Sequence, residues 1–185
     1  GRCVSEIIAS GIIPAGMEMM DKALIHATDD FVKAGYPRDA ESMLIVELDG
    51  TETEVKELIE KVSAIAKKNK SSSIKISKNE KQRMKFWAGR KAAFPACGDM
   101  APDYYCMDGT IPRGKLSEVL KEIGRLSKKY GLPVANAFHA GDGNLHPLIM
   151  YDANEKKSLE KTEKFGAEIL KYCVKVGGVL TGEHG

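Results

Sequence analysis

Three of the chain's four histidines, His139, His146 and His184, stand near its C-terminal end. Two of them bracket the run His139-Ala140-Gly141-Asp142-Gly143-Asn144-Leu145-His146. Glycine, aspartate and asparagine tolerate the backbone angles of a tight reversal, so this run reads as a turn between two strands with one imidazole on each side. If the imidazoles meet across the ladder, both project from one face as a preformed pair of nitrogen ligands. Glu183, on a further strand, adds a carboxylate. Two histidines and one carboxylate with positions left open suit Zn²⁺, Fe²⁺ or Mn²⁺. His184 would project to the opposite side of a regular strand, as a base that is not a ligand.

Blander readings stand beside this one. A histidine beside a hairpin is usually a surface or hydrogen-bonded residue, and D-G-N is an ordinary turn signal. The loop is glycine-rich, but it lacks the G-x-G-x-x-G spacing and the lysine and Ser/Thr of a phosphate loop, and a strand follows it. Nucleotide binding by this loop is therefore excluded. A non-catalytic ligand-binding module, or a metal-dependent hydrolase using the same His, His and Glu set with an activated water, remains open at this point. The fourth histidine, His26, falls on the polar side of a helical stripe.

The elements that must position these residues alternate between helix and strand periods. Leu24, Ile25, Thr28, Phe31 and Val32 form a helical stripe opened by Asp21 and closed by Gly35 and Pro37, with a strand at Met43 to Leu48. Thr51 and Glu54 form a capping box ahead of Val55, Leu58, Ile59, Val62, Ile65 and Ala66. Lys67 to Lys70 suit that helix's C-terminal dipole, and Ser73 to Ile76 read as a strand. A helix is expected from Asn79 towards Phe94, with Trp87, Arg90 and Phe94 on one face and Pro95 as its terminator. Tyr104 to Ile111 reads as a strand made irregular by Gly109, followed by a helix through Leu116, Val119, Leu120, Ile123 and Leu126 that ends at Gly131 and Pro133. Val134 to Ala140 and Leu145 to Tyr151 form the histidine hairpin. A last helix through Phe165, Ile169, Leu170, Cys173 and Val174 stops at Gly177-Gly178, before a strand at Val179 to Thr181. Helices between strands plus one direct hairpin predict an α+β fold, a ferredoxin-like mixed or antiparallel sheet with helices packed on it.

Composition limits the rest. A chain of 185 residues suits one domain with a real core. Its net charge of +2, with 29% charged residues, gives no nucleic-acid footprint. The apolar run from Cys3 to Met20 is broken by Arg, Glu, Ser, Gly and Pro well short of the roughly 20 residues a membrane span requires. Four scattered cysteines form no C-x-x-C pair and read as reduced, buried thiols of a cytoplasmic protein. The chain opens on Gly1 and stops at Glu183-His184-Gly185, which leads us to expect a fragment.

Four motifs carry a family resemblance. H-A-G-D-G-N-L-H-P at 139–147 and G-E-H-G at 182–185 resemble the C-terminal domain of FAD-linked oxidases of the vanillyl-alcohol-oxidase class. R-K-A-A-F-P-A at 90–96 and D-Y-Y-C-M-D-G-T-I-P-R at 103–113 are similar to the bacterial glycolate-oxidising branch of that class. The likeness extends over residues 1–185 and implies a flavin enzyme that oxidises a 2-hydroxy acid such as glycolate or D-lactate to the 2-oxo acid. It implies FAD held chiefly by an N-terminal domain that this chain lacks, with Gly143 and Asn144 at the cofactor. A divalent metal, Zn, Mn or Fe, would be held by His139, His146 and Glu183. His184 would be the catalytic base and Arg90 the partner of the substrate carboxylate, for which a planar guanidinium fork is well shaped. FAD-binding and iron–sulfur partner subunits and a peripheral place at the inner membrane are further implications. Phe94, Cys106 and Leu148 stand where the diacid-oxidising relatives place polar substrate contacts, so the expected substrate is a short monocarboxylate.

Overall fold

The computed structural model describes residues 1–182, and the expected Glu183 and His184 roles lie outside them. In chain order the elements are α1 (Arg2–Ala9), β1 (Gly16–Asp21), α2 (Lys22–Val32), β2 (Ser42–Glu47), α3 (Glu52–Lys68), α4 (Glu80–Lys91), α5 (Ala93–Cys97), β3 (Asp103–Cys106), β4 (Gly109–Thr110), α6 (Leu116–Tyr130), β5 (Val134–His139), β6 (Asn144–Tyr151), α7 (Ser158–Lys175) and β7 (Val179–Leu180). The strands form one sheet in the order β2-β1-β5-β6-β4-β7, with β3 also on β6, and every pairing is antiparallel. This is the expected α+β architecture of an antiparallel sheet with helices packed on it. No described helix is long and apolar enough to cross a membrane.

Alternation along the strands makes two cores, one on each face of the sheet. Met17, Met19, Phe138, Leu145 and Ile149 point to one side and pack with Val4, Leu116, Ile123, Phe165 and Ile169 from α1, α6 and α7. Met20, Ala137, Leu148 and Met150 point to the other and meet Leu24 and Ile25 of α2 and Ala93 and Cys97 of α5. Burying Cys97 and Cys173 pushes their thiols up to about 12 and about 11, so both are protonated packing residues at neutral pH. None of the four cysteines forms a disulfide.

The capping box is present: Thr51 Oγ1 accepts from Glu54 N, and Thr51 N donates to Glu54 Oε2 at 2.8 Å. Helix α1 and strand β1, from Arg2 to Asp21, are not anticipated by the sequence, which shows only broken hydrophobicity there. Two expectations are corrected. Residues 71–78 form no strand. Ile74 and Ile76 there are exposed, and an isolated segment without a neighbouring edge has nothing to pair with. Pro95 does not end the preceding helix, which stops at Lys91; it sits in the first turn of α5, where a missing N–H leaves no intrahelical bond unmade.

The irregularity at Gly109 is an interruption between β3 and β4 that does not change register. Cys106 pairs Leu148 and Gly109 pairs Leu145, so Met107 and Asp108 fall opposite Pro147 and His146. Met150 N bonds Pro133 O on the β5 side, so by alternation the ring nitrogen of Pro147 faces β3 and β4 and has no proton to donate.

Candidate functional site

The histidine hairpin builds the centre of the site. Its loop, residues 140–143, is closed by Asp142 N and Gly143 N donating to His139 O at 3.1 and 3.0 Å. Gly143 has φ +77°, and its carbonyl accepts from Ile111 N at 2.9 Å. A Cβ on Gly143 would lie 2.2 Å from the Ile111 carbonyl oxygen. Only glycine fits this position, whatever else the loop does.

The expectation that the two histidines meet directly across the ladder is corrected by one step. His139 pairs Asn144 and His146 pairs Ala137, so the histidines are diagonal neighbours, because four residues separate the paired ends His139 and Asn144. The period of two nonetheless sends both side chains to the α2 and α5 face, with ring centroids 4.8 Å apart and the rings nearly perpendicular.

Each imidazole is held by a carboxylate from the adjoining strand. Glu18 on β1 lies directly opposite His139, and His139 Nδ1 is 2.7 Å from Glu18 Oε1. Asp108, opposite His146 beyond the Pro147 interruption, places Oδ1 2.6 Å from His146 Nδ1. An ionised carboxylate only accepts, so a neutral imidazole paired in this way carries its proton on Nδ1 and presents the lone pair of Nε2. His146 and Asp108 are buried, whereas His139 keeps 29% of its side chain exposed.

Glu18 has a second partner. Arg90 on α4 donates from Nε to Glu18 Oε2 at 2.9 Å, and its Nη2 forms an ion pair with the same oxygen at 2.9 Å. That leaves the Nη1 edge of the guanidinium, with its remaining N–H groups, for another planar anion. Helix α4 is seated by Tyr36, whose hydroxyl donates to Phe86 O at 2.6 Å and accepts from Gly89 N at 2.9 Å. Trp87, one turn before Arg90, lies against Gly16 at the start of β1.

The remaining expected residues fall around this cluster. Asn144 Oδ1 lies 3.4 Å from both Thr110 Oγ1 and Thr181 Oγ1, on the same sheet face as His146. Cys106 is on that face too, and one donor atom each from Cys106, Asp108 and His146 lie within 4.8 Å of one another. Phe94 leans on Tyr104 with ring centroids 6.1 Å apart, and Leu148, paired with Cys106, is fully buried. The guanidinium Nε of Arg113 donates to Gly141 O, and Gly141 N donates to Met17 O at 3.0 Å, so the loop is tied to β1. A cavity of about 440 Å³ opens beside it, with Glu18, Arg113, Gly141, Asp142 and Pro14 in its wall. His26 is outside the site, with Nε2 2.6 Å from Arg38 O.

Sequence reasoning missed Glu18 and Asp108. The available signals were a single acid inside the apolar run Met17 to Met20, and a Cys106, Asp108, Thr110 alternation on the strand opposite His146. The cluster has two carboxylates against one guanidinium, a balance that suits a bound cation.

Comparison with known proteins gives this site a context. The model of the family described as FAD linked oxidases, C-terminal domain, matches residues 1–185. The chain is 55% identical over 185 residues to glycolate oxidase subunit GlcD of Escherichia coli (strain K12), covering all of this chain and 37% of that protein. It is 29% identical over 178 residues to the mitochondrial D-lactate dehydrogenase [cytochrome] of Arabidopsis thaliana, covering 95% of this chain and 31% of that protein. The chain thus spans about a third of the length of these relatives. Among solved structures, substrate-bound p-cresol methylhydroxylase superposes with a TM-score of 0.66 at 16% identity, over 96% of this chain and 42% of that one, a likeness of fold.

Proposed function

The chain belongs to the FAD-linked oxidase C-terminal domain family, and from that premise we propose that it is the substrate-side half of an FAD-dependent dehydrogenase that oxidises glycolate or D-lactate to the 2-oxo acid. The observation that carries this reading is the cluster itself. Two imidazoles share one face, each held at Nδ1 by a carboxylate, and Arg90 is tied to His139 through Glu18, with one guanidinium edge left over among the described residues. The names of the relatives, a glycolate oxidase subunit and a D-lactate dehydrogenase, support the substrate class.

The donor set fits a divalent metal, because each ring is paired at Nδ1 with a carboxylate, the arrangement in which Nε2 serves as ligand, and the surrounding charge is negative. His139 and His146, with Glu183, would hold Zn²⁺, Mn²⁺ or Fe²⁺, which supplies Lewis-acid polarisation of the 2-hydroxyl when bound. FAD, held chiefly by a separate N-terminal domain with Gly143 and Asn144 facing it, supplies the hydride acceptor. Arg90 orients the substrate by a two-point bond to its carboxylate from the Nη1 edge. His184 accepts the hydroxyl proton as the C2 hydride departs. Phe94, Cys106 and Leu148 themselves carry no cationic or amide group, so none of the three would offer a partner to a second substrate carboxylate. FAD-binding and iron–sulfur partner subunits would take the electrons onward. We place the assembly in the cytoplasm, peripheral to the inner membrane, on the family resemblance.

The test is steady-state dye reduction by the enzyme carrying both domains, with glycolate, D-lactate and 2-hydroxyglutarate compared. The reading predicts kcat/KM for the short acids above that for the diacid by about 100-fold or more. Preference for the diacid, or turnover without flavin reduction as in a hydrolase, would contradict it.

A further inference from the structure

We propose that Glu18 is a positioning residue that joins the metal-ligand imidazole of His139 and the substrate-anchoring guanidinium of Arg90 into one rigid unit. The proposal rests on the function proposed above and assigns to that site a residue absent from the motifs that identify the family.

Glu18 sits in a strand whose other residues from Met17 to Met20 are buried methionines, and only 11% of its side chain is exposed. An acid at such a position is costly unless its oxygens are fully used. Here they are divided: Oε1 holds His139 Nδ1 at 2.7 Å, and Oε2 holds Arg90 Nε and Nη2 at 2.9 Å each. A carboxylate that only neutralised Arg90 would turn both oxygens to the guanidinium fork. Instead both Arg90 contacts, the Nε hydrogen bond and the Nη2 ion pair, converge on one oxygen while the other holds the ring of the histidine at Nδ1. A second carboxylate–histidine pair, Asp108 with His146, stands on the same face at 2.6 Å. Carboxylates behind metal-binding histidines orient the ring and raise its basicity. The placement comes from register, since Glu18 is the residue of β1 directly opposite His139 and α4 brings Arg90 down over it. A shorter acid cannot span both partners.

One carboxylate shared by two functions has a specific signature: altering it must change metal affinity and substrate affinity together. In the enzyme carrying both domains, Glu18→Gln keeps the side-chain length but turns an amide NH₂ towards one of two donors. Zn²⁺ and Mn²⁺ affinities, measured by competition with a chromogenic chelator, are expected to fall by about 10- to 100-fold. The d–d spectrum of the Co²⁺-substituted enzyme is expected to shift. At saturating metal the KM for glycolate is expected to rise by about 10- to 100-fold with a smaller change in kcat, since a displaced anchor weakens binding geometry. Glu18→Asp, which keeps the charge, is expected to recover one of the two affinities and not both, and it serves as the reading if Glu18→Gln does not fold. Folded variants with wild-type metal affinity, Co²⁺ spectrum and KM overturn the inference and leave the proposed function standing. A wild-type enzyme that binds no metal and does not turn over glycolate overturns both.

Discussion

At the scale of single residues, the site depends on side chains whose neighbours leave them one choice. Gly143 is the sharpest case: φ +77° combines with a carbonyl 2.2 Å from where a Cβ would be. Gly143→Ala is expected to cost at least about 2 kcal/mol, from backbone strain and displacement of the Ile111 backbone that follows β4. Urea unfolding should show a lower midpoint at unchanged slope. An unchanged midpoint would mean that the loop relaxes freely and does not hold the histidines in place. His139 and His146 were legible in the sequence because two histidines around a glycine-rich reversal are a local pattern. Glu18 and Asp108 were not, because each acquires its meaning only from a partner 121 or 38 residues away. Arg90 was legible through family resemblance alone, and the ion pair that orients it was not.

At the scale of elements, α4 decides where Arg90 stands. A Cβ on Gly89 would fall 2.2 Å from Cε2 and 2.6 Å from the hydroxyl oxygen of Tyr36, a ring that is itself pinned by hydrogen bonds to Phe86 and Gly89. Gly89→Ala is therefore expected to push α4 away from Tyr36 and the segment that follows α2, at a cost of about 1–3 kcal/mol. The KM for glycolate should rise more than kcat falls, because Arg90 is the next residue and moves with the helix. Equal KM values for the variant and the wild type would separate α4 seating from substrate binding. Helices with long periodic stripes and explicit caps, α3 and α6 above all, were readable because their signals are local. The short α1 and β1 were not: eight and six residues give too few periods to separate helix from strand in one apolar run. The strand expected at residues 73–76 has the right composition and no neighbour, which composition cannot reveal.

At the scale of the whole molecule, strand order assembles the site. Inserting β1 between β2 and β5 brings an early acid to a late histidine, and placing β3 and β4 along the outer edge of β6 brings the other acid to the other histidine. The fold class followed from the alternation of periods, but this order is a sum of non-local pairings that no local signal encodes. The consequence is a two-sided domain. One sheet face is given to a large apolar core, and the other is closed by α2 and α5 at one end and carries the histidine cluster at the end nearer the loop. In the proposed function this cluster holds a divalent metal at which a short 2-hydroxy acid is oxidised by a flavin from the companion domain. Anaerobic reduction of the bound flavin by glycolate, followed in the chelator-stripped enzyme carrying both domains and again after Zn²⁺ or Mn²⁺ is restored, tests it most directly. Stripping is expected to slow flavin bleaching by about 100-fold or more, and one of the added metals is expected to restore it. Bleaching at an undiminished rate in the stripped enzyme would contradict it.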